Sequence, residues 1–270
     1  MQKTPILLIA ILLVLITVPG PSAHADTEKL VSIPVSFTYS SVYWWRGVQI
    51  NDDGVGVLWP GISLEIGAFS LSYAAGISED WISKESSAEE DEAKAKTEMD
   101  YGLSFSSETE ILAFGIGIMY VQYPYYDETD PDATEPSYWE GSAMIGVKTV
   151  LSPALHVYYD YFIEEYEGSD GSDVPVNEDY YVKLSLSQEI IASNGFTFSI
   201  TAWVGYYNNP YFEAEGWSDA VVSLWIAQEL ERFSFSAGFY YGRSLDRDFR
   251  RLNNGIKNTF WCDFGIVMTL

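Results

Sequence analysis

Ser142, His156 and Asp160 come nearest in this chain to a nucleophile, a base and an orienting acid. A hydrolase of that type needs the three in one hydrogen-bonded line. On an extended chain His156 and Asp160 share a face but stand four residues apart, about 13 Å at strand rise. No motif surrounds any of the three, so the expectation is a protein that is not an enzyme, with a hydrolase the least favoured reading. Neither "DETDPD" nor "GSDGSD" has the spacing of a calcium loop, which requires a glycine at the sixth position. The single Cys262 cannot form an internal disulfide, and no glycine-rich phosphate loop occurs. No cofactor and no metal site are expected.

A second chemistry comes from charges on the polar side of an alternating pattern. Glu65, Asp100, Glu140, Lys148, His156, Asp160, Lys183 and Asp263 all fall there. If that side walls a wet lumen, carboxylates outnumber ammonium groups, and rings of Asp and Glu favour cations. The expectation is a weakly cation-preferring passage for small solutes. The competing reading is an internal salt-bridge network that fills the interior, with Lys148 and Lys183 paired to neighbours. Trp44, Trp203, Trp225 and Trp261 share the polar parity and could narrow or plug the space. In "SVYWWRGVQ" the alternation puts Val42, Trp44 and Arg46 inside and Tyr43 and Trp45 outside, with Gly47 allowing a turn. Arg46 then either meets an anionic solute at the mouth or pairs with loop carboxylates and pins the first loop.

These residues need elements that hold them, and the chain supplies strands almost throughout. "VSIPVSFTYS", "FSLSYAAGIS", "MDYGLSFS", "FTFSITAWVGYY" and "FSFSAGFYYG" alternate apolar and polar residues. About twelve such segments occur, each near the 9–11 residues a tilted strand needs to cross a bilayer. Connections alternate in length. Long ones cover 47–56, 79–98, 124–136, 167–178, 208–216 and 244–258; short ones lie near Gly67, Ser107, Leu151, Ala192 and Glu229. All long loops therefore fall at one end of an up-and-down meander, as in outer-membrane barrels and not in a sandwich. "FWCDFGIVMTL" predicts the closing strand, because a bilayer tolerates no open sheet edge. It also resembles the terminal signal read by barrel assembly machinery. Tyr39, Tyr43, Trp45, Trp59, Tyr120, Tyr123, Trp139, Tyr206 and Tyr241 lie near predicted strand ends, where interfacial girdles form. Cys262 reads as a small apolar filler on the lipid side.

Residues 1–25 read as an export signal peptide: Lys3, the apolar run from Pro5 to Val18, and a small-x-small site at Ala23–Ala25. Residues 26–270 read as one domain. A net charge of −25 repels phosphate backbones and excludes nucleic acid as a partner. The loop charges divide into acidic "DETDPDATE" and basic "RSLDRDFRR". They act either as solvated tips attracting each other across the mouth, or as contacts to divalent cations and lipopolysaccharide phosphates.

Ser41, Tyr43, Trp45, Arg46 and Gly47 follow the first strand in a pattern that resembles the TorF-type porin family of bacterial outer-membrane β-barrels. The resemblance implies a bacterial outer-membrane location and a porin-like role. The acidic insert at 79–98 and the terminal Leu270 depart from the pattern and leave solute specificity open. The fold expected is all-β, an up-and-down antiparallel transmembrane barrel. The expected function is passive passage of small solutes; the alternative is a non-transporting barrel acting as adhesin, receptor or structural element. Expected partners are outer-membrane lipid and lipopolysaccharide, the assembly machinery and small solutes.

Overall fold

The computed structural model describes residues 31–50, 56–78, 98–123, 137–162, 166–167, 173–174, 179–191, 195–209, 214–253 and 255–270. The expected signal peptide over 1–25, most of the acidic stretch 79–98, the segment 124–136 and most of 167–178 lie outside the described residues. The first strands are β1 (Val31–Ser32), β2 (Pro34–Ser40), β3 (Trp44–Trp45), β4 (Val48–Gln49), β5 (Val57–Ile66) and β6 (Phe69–Ser78). Next come β7 (Glu98–Glu108), β8 (Leu112–Gln122), β9 (Tyr138–Val147), β10 (Ala154–Phe162), β11 (Tyr166–Glu167) and β12 (Asp173–Val174). The chain ends with β13 (Asp179–Ile191), β14 (Phe196–Asn209), β15 (Ala214–Leu230), β16 (Phe233–Ser244), helix α1 (Arg247–Leu252) and β17 (Asn258–Thr269).

Thirteen of these strands form one antiparallel sheet closed on itself. Counting β1 and β2 as one stave interrupted at Ile33 leaves twelve. Closure runs through β17 and β2, from Asp263 opposite Ser40 to Thr269 opposite Pro34. The expected closing strand therefore does close the barrel.

Its outer wall is apolar. Ile62, Leu71, Leu103, Ile118, Ile145, Leu184 and Val222 are 47–57% exposed, far more contiguous apolar surface than water tolerates. This belt is the lipid-facing band of a transmembrane barrel. Aromatic rims bound it asymmetrically. At the long-loop end Tyr73, Tyr101, Tyr120 and Trp139 contact one another across successive strands, as do Tyr180, Tyr206 and Trp217. At the short-turn end the rings are Phe69, Phe105, Phe114, Phe233 and Phe235.

Four of the expected girdle residues are not in the girdle. Tyr43 and Tyr123 donate hydrogen bonds to Glu98 in the interior, Trp59 packs edge-on against Tyr43, and Trp45 packs edge-on against Tyr207. The expected outward parity of Tyr43 and Trp45 fails for one reason: the chain leaves the wall after Ser40.

Candidate functional site

Past β2 the chain does not continue outward into an external loop. It folds back into the lumen as a tight hairpin, β3 paired to β4 with Trp44 opposite Gln49 and Trp45 opposite Val48. Arg46 and Gly47 form its two-residue turn, with φ of 48° and 92°, the paired positive values of a type I′ hairpin turn. Gly47 is also required by space. A Cβ there would sit 2.9 Å from Ser218 Cβ, closer than carbon atoms pack.

The turn delivers Arg46 to three strands of the wall. Its guanidinium makes a bidentate contact with Asp160 on β10, at 2.5 and 3.1 Å. It also donates to Glu140 on β9 and to Asp179 on β13 at 3.3 Å. Planar two-point pairing of this type is the strongest that arginine offers. The Trp45 ring lies 4.4 Å from the guanidinium carbon, adding a cation–π contact. Asp179 is held in turn by the Tyr207 hydroxyl at 3.0 Å and by the Asn209 amide. Arg46 belongs to the hairpin, outside the membrane-spanning strands. Burial alone would lower its pKa, but Asp160, Tyr207 and Glu140 raise it well above the ordinary value, so it stays charged.

Two apolar clusters hold the hairpin from either side. Val48 packs with Tyr181, Tyr207, Ala214 and Phe249, with Trp45 against them. Trp44 stacks on Trp261, which stacks on Tyr240 at 4.9 Å. Helix α1 closes over the top: Phe249 is fully buried, and the Asn253 amide donates to the Gly47 carbonyl at 2.8 Å. The basic loop is thus part helix and part plug support. Of its arginines, Arg250 is committed to the helix start, donating to the carbonyls of Asp246 and Leu245.

All four inward tryptophans expected from parity face the interior clusters or the cavity below them. Arg46, Glu140 and Asp160 meet. The pairing expectation for Arg46 was right in kind and wrong in place, because its carboxylates sit on wall strands and not on loops. Asp100 and Asp263 face the lumen apart from this cluster, each with one buried carboxylate oxygen that has no partner among the described residues. Glu65 lies at the short-turn rim and accepts a hydrogen bond from Ser32. Lys148 lies at the same rim, 3.2 Å from Glu108. Lys183 and His156 stand opposite each other on β13 and β10. Of the two lysines that the competing salt-bridge reading pairs, Lys148 has a carboxylate partner and Lys183 has no ion pair among the described residues.

Three interior carboxylates went unread in the sequence. Glu98 and Asp179 adjoin acidic loops at the first residue of their strands. Asp219 has the same inward parity as Val221 and Ser223, and a bulge just before it, between Gly205 and Tyr206 on the facing strand, inserts Ser218 beside it and turns Trp217 outward. Ser218 and Asp219 are consequently both buried, and Asp219 accepts from Tyr181, Trp203 and Ser218.

Below the hairpin a cavity of about 460 Å³ extends to the short-turn end, with Lys183, His156, Trp203, Trp225 and Tyr240 in its wall and Lys148 and Ser152 at its opening. The hydrolase constellation does not assemble. Asp160 is committed to Arg46, Ser142 stands opposite Tyr158 and not opposite His156, and the His156 ring is 3.5 Å from Ser185 instead. Among the described residues no group of three or more His, Cys, Asp or Glu is arranged to hold a metal ion.

No family model matches the chain, and no curated protein is similar to it in sequence. Among solved structures it is similar to the NanC porin, with a TM-score of 0.53, 9% identity, and 88% of this chain and all of that one covered. It is equally similar to the COG4313 outer membrane channel from Pseudomonas putida F1, with a TM-score of 0.53, 10% identity, and 94% of this chain and all of that one covered. The fold is that of a bacterial outer-membrane β-barrel. At such identity the likeness concerns architecture, and the barrel's own lumen must supply the rest of the argument.

Proposed function

We propose that the barrel is a porin-like outer-membrane channel for small solutes, weakly cation-preferring and not an enzyme, whose external half is constricted by the Arg46 hairpin. The observation that carries this reading is a lumen with unpaired acidic oxygens on Asp100 and Asp263, next to a cavity open at the short-turn end. Twelve staves stand between the filled eight-stranded barrels and the open sixteen-stranded porins, so one inserted hairpin is enough to set the bore. The Ser41, Tyr43, Trp45, Arg46 and Gly47 pattern supports a kinship with TorF-type porins. Exposed Arg243, Arg247 and Arg251 at the long-loop end suit lipopolysaccharide phosphates. The assembly machinery is a further partner of the reading, through the closing strand.

A second reading is favoured by the two apolar clusters around the hairpin: a plugged barrel that works through its external surface as adhesin or receptor. Planar-bilayer recording separates the two. The channel reading expects steps from the wild type and larger steps from Arg46→Gln, because the latch is lost. Silence from both proteins would overturn it in favour of the plugged barrel.

A further inference from the structure

The cavity beneath the hairpin differs in charge from everything around it. The chain carries 39 acidic side chains, yet no acidic side chain among the described residues lines this space. Its charged members are Lys148, paired at the rim with Glu108, and Lys183, which has neither an ion pair nor a hydrogen bond among the described residues. Asp219, the acidic group whose charge acts on Lys183, is already supplied with donors by Tyr181 at 3.0 Å, Ser218 at 2.8 Å and Trp203 at 3.0 Å. Lys183 rests between aromatic faces, its ammonium 5.6 Å from the Trp203 ring and 6.0 Å from the Tyr158 ring. Arg46 shows what the same fold does with a cation it needs only for structure: it surrounds the group with three carboxylates.

We propose that this cavity is a binding site for a small organic carboxylate, with Lys183 as the anchor of its anionic end. Lys183 is half-buried and carries no carboxylate among the described residues, so its ammonium is available to a negative charge brought into the cavity, and a charge-assisted hydrogen bond there is stronger than one in open water. Hydroxyls supply further donors: Ser187 and Thr201 lie 2.9 Å apart in the wall, and Ser185 adjoins His156. The indole of Trp225 and the ring of Tyr240 meet edge-to-face and offer flat apolar surface to an organic body, which a bare inorganic anion would not use. About 460 Å³ lies within the range of small-molecule sites. Entry is from the short-turn end, past Lys148 and Ser152. The site therefore does not depend on the hairpin opening, and its test is independent of conductance.

Benzoate titrated calorimetrically into the detergent-refolded barrel is the direct probe, with benzyl alcohol and inorganic phosphate as comparisons. Saturable benzoate binding is expected, with both comparisons weaker. Lys183→Met should weaken it about tenfold or more, the worth of one charged hydrogen bond. Lys183→Arg should keep most of it, and Arg247→Gln, on the helix at the long-loop end, should leave it unchanged. The proposal is overturned if benzoate does not saturate, if Lys183→Met binds it as wild type does, or if benzyl alcohol or phosphate binds equally well.

Discussion

Arg46 occupies a backbone region that costs a non-glycine residue about 1–2 kcal/mol, and it is buried among three carboxylates that no other described cation approaches within 4 Å. Both costs are offset only together. Removing the guanidinium leaves three carboxylates uncompensated, and breaking a buried pair in this way typically costs 3–5 kcal/mol. That is why Arg46→Gln is expected to undock the hairpin and not merely to trim a contact. Gly47 makes a sharper probe. Gly47→Ala keeps every charge but forces a Cβ against Ser218 at 2.9 Å while φ stays at 92°. It should reproduce the Arg46→Gln phenotype in bilayer recordings; wild-type traces would mean that the hairpin can shift to admit a methyl. Alternation made the inward parity of Glu140 and Asp160 legible in the sequence, whereas Arg46 is inside because the whole hairpin folds inward. Their meeting was not legible, because the two carboxylates lie 94 and 114 positions from Arg46 and come together only once the staves close.

At the scale of elements, the wall was readable and its contents were not. A period of two and loops of two lengths suffice to predict staves, turns and the seam between β17 and β2. The hairpin keeps the same alternating pattern whether it lies in the wall or folds inward, so pattern alone cannot place it. Its only local mark, Arg-Gly, is a weak signal for a turn that usually carries Asn-Gly or Asp-Gly. The bulge in β15 defeats parity counting in the same way, since it turns Trp217 outward at 54% exposure while Ser218 and Asp219 are buried. Helix α1 depends on these contents, as its Phe249 stacks near Tyr207 with centroids 6.0 Å apart. Phe249→Ala should remove about 3–5 kcal/mol of packing and free the lid. The barrel itself should remain folded, with unchanged heat-modified migration in gel electrophoresis and more frequent openings in bilayers. Loss of the barrel would show that the lid is needed for the fold as well.

For the molecule as a whole, the lumen is layered by sign. Glu98, Asp100, Asp263 and the Arg46 carboxylates occupy the part toward the long loops, whereas the cavity toward the short turns is lined by Lys183 and His156 with no described acid, Glu65 and Glu108 standing only at its rim. Cation preference in this barrel should come from the first layer alone. Asp100→Asn combined with Asp263→Asn is expected to move the reversal potential in a salt gradient toward zero; an unchanged potential would place selectivity elsewhere, in the external loops. The same layering has an electrical consequence. Fixed charges of opposite sign placed in series along a narrow conductor fill with mobile ions under one polarity and empty under the other. Such a protein would act as a diode, passing more current in one direction across the membrane than in the other.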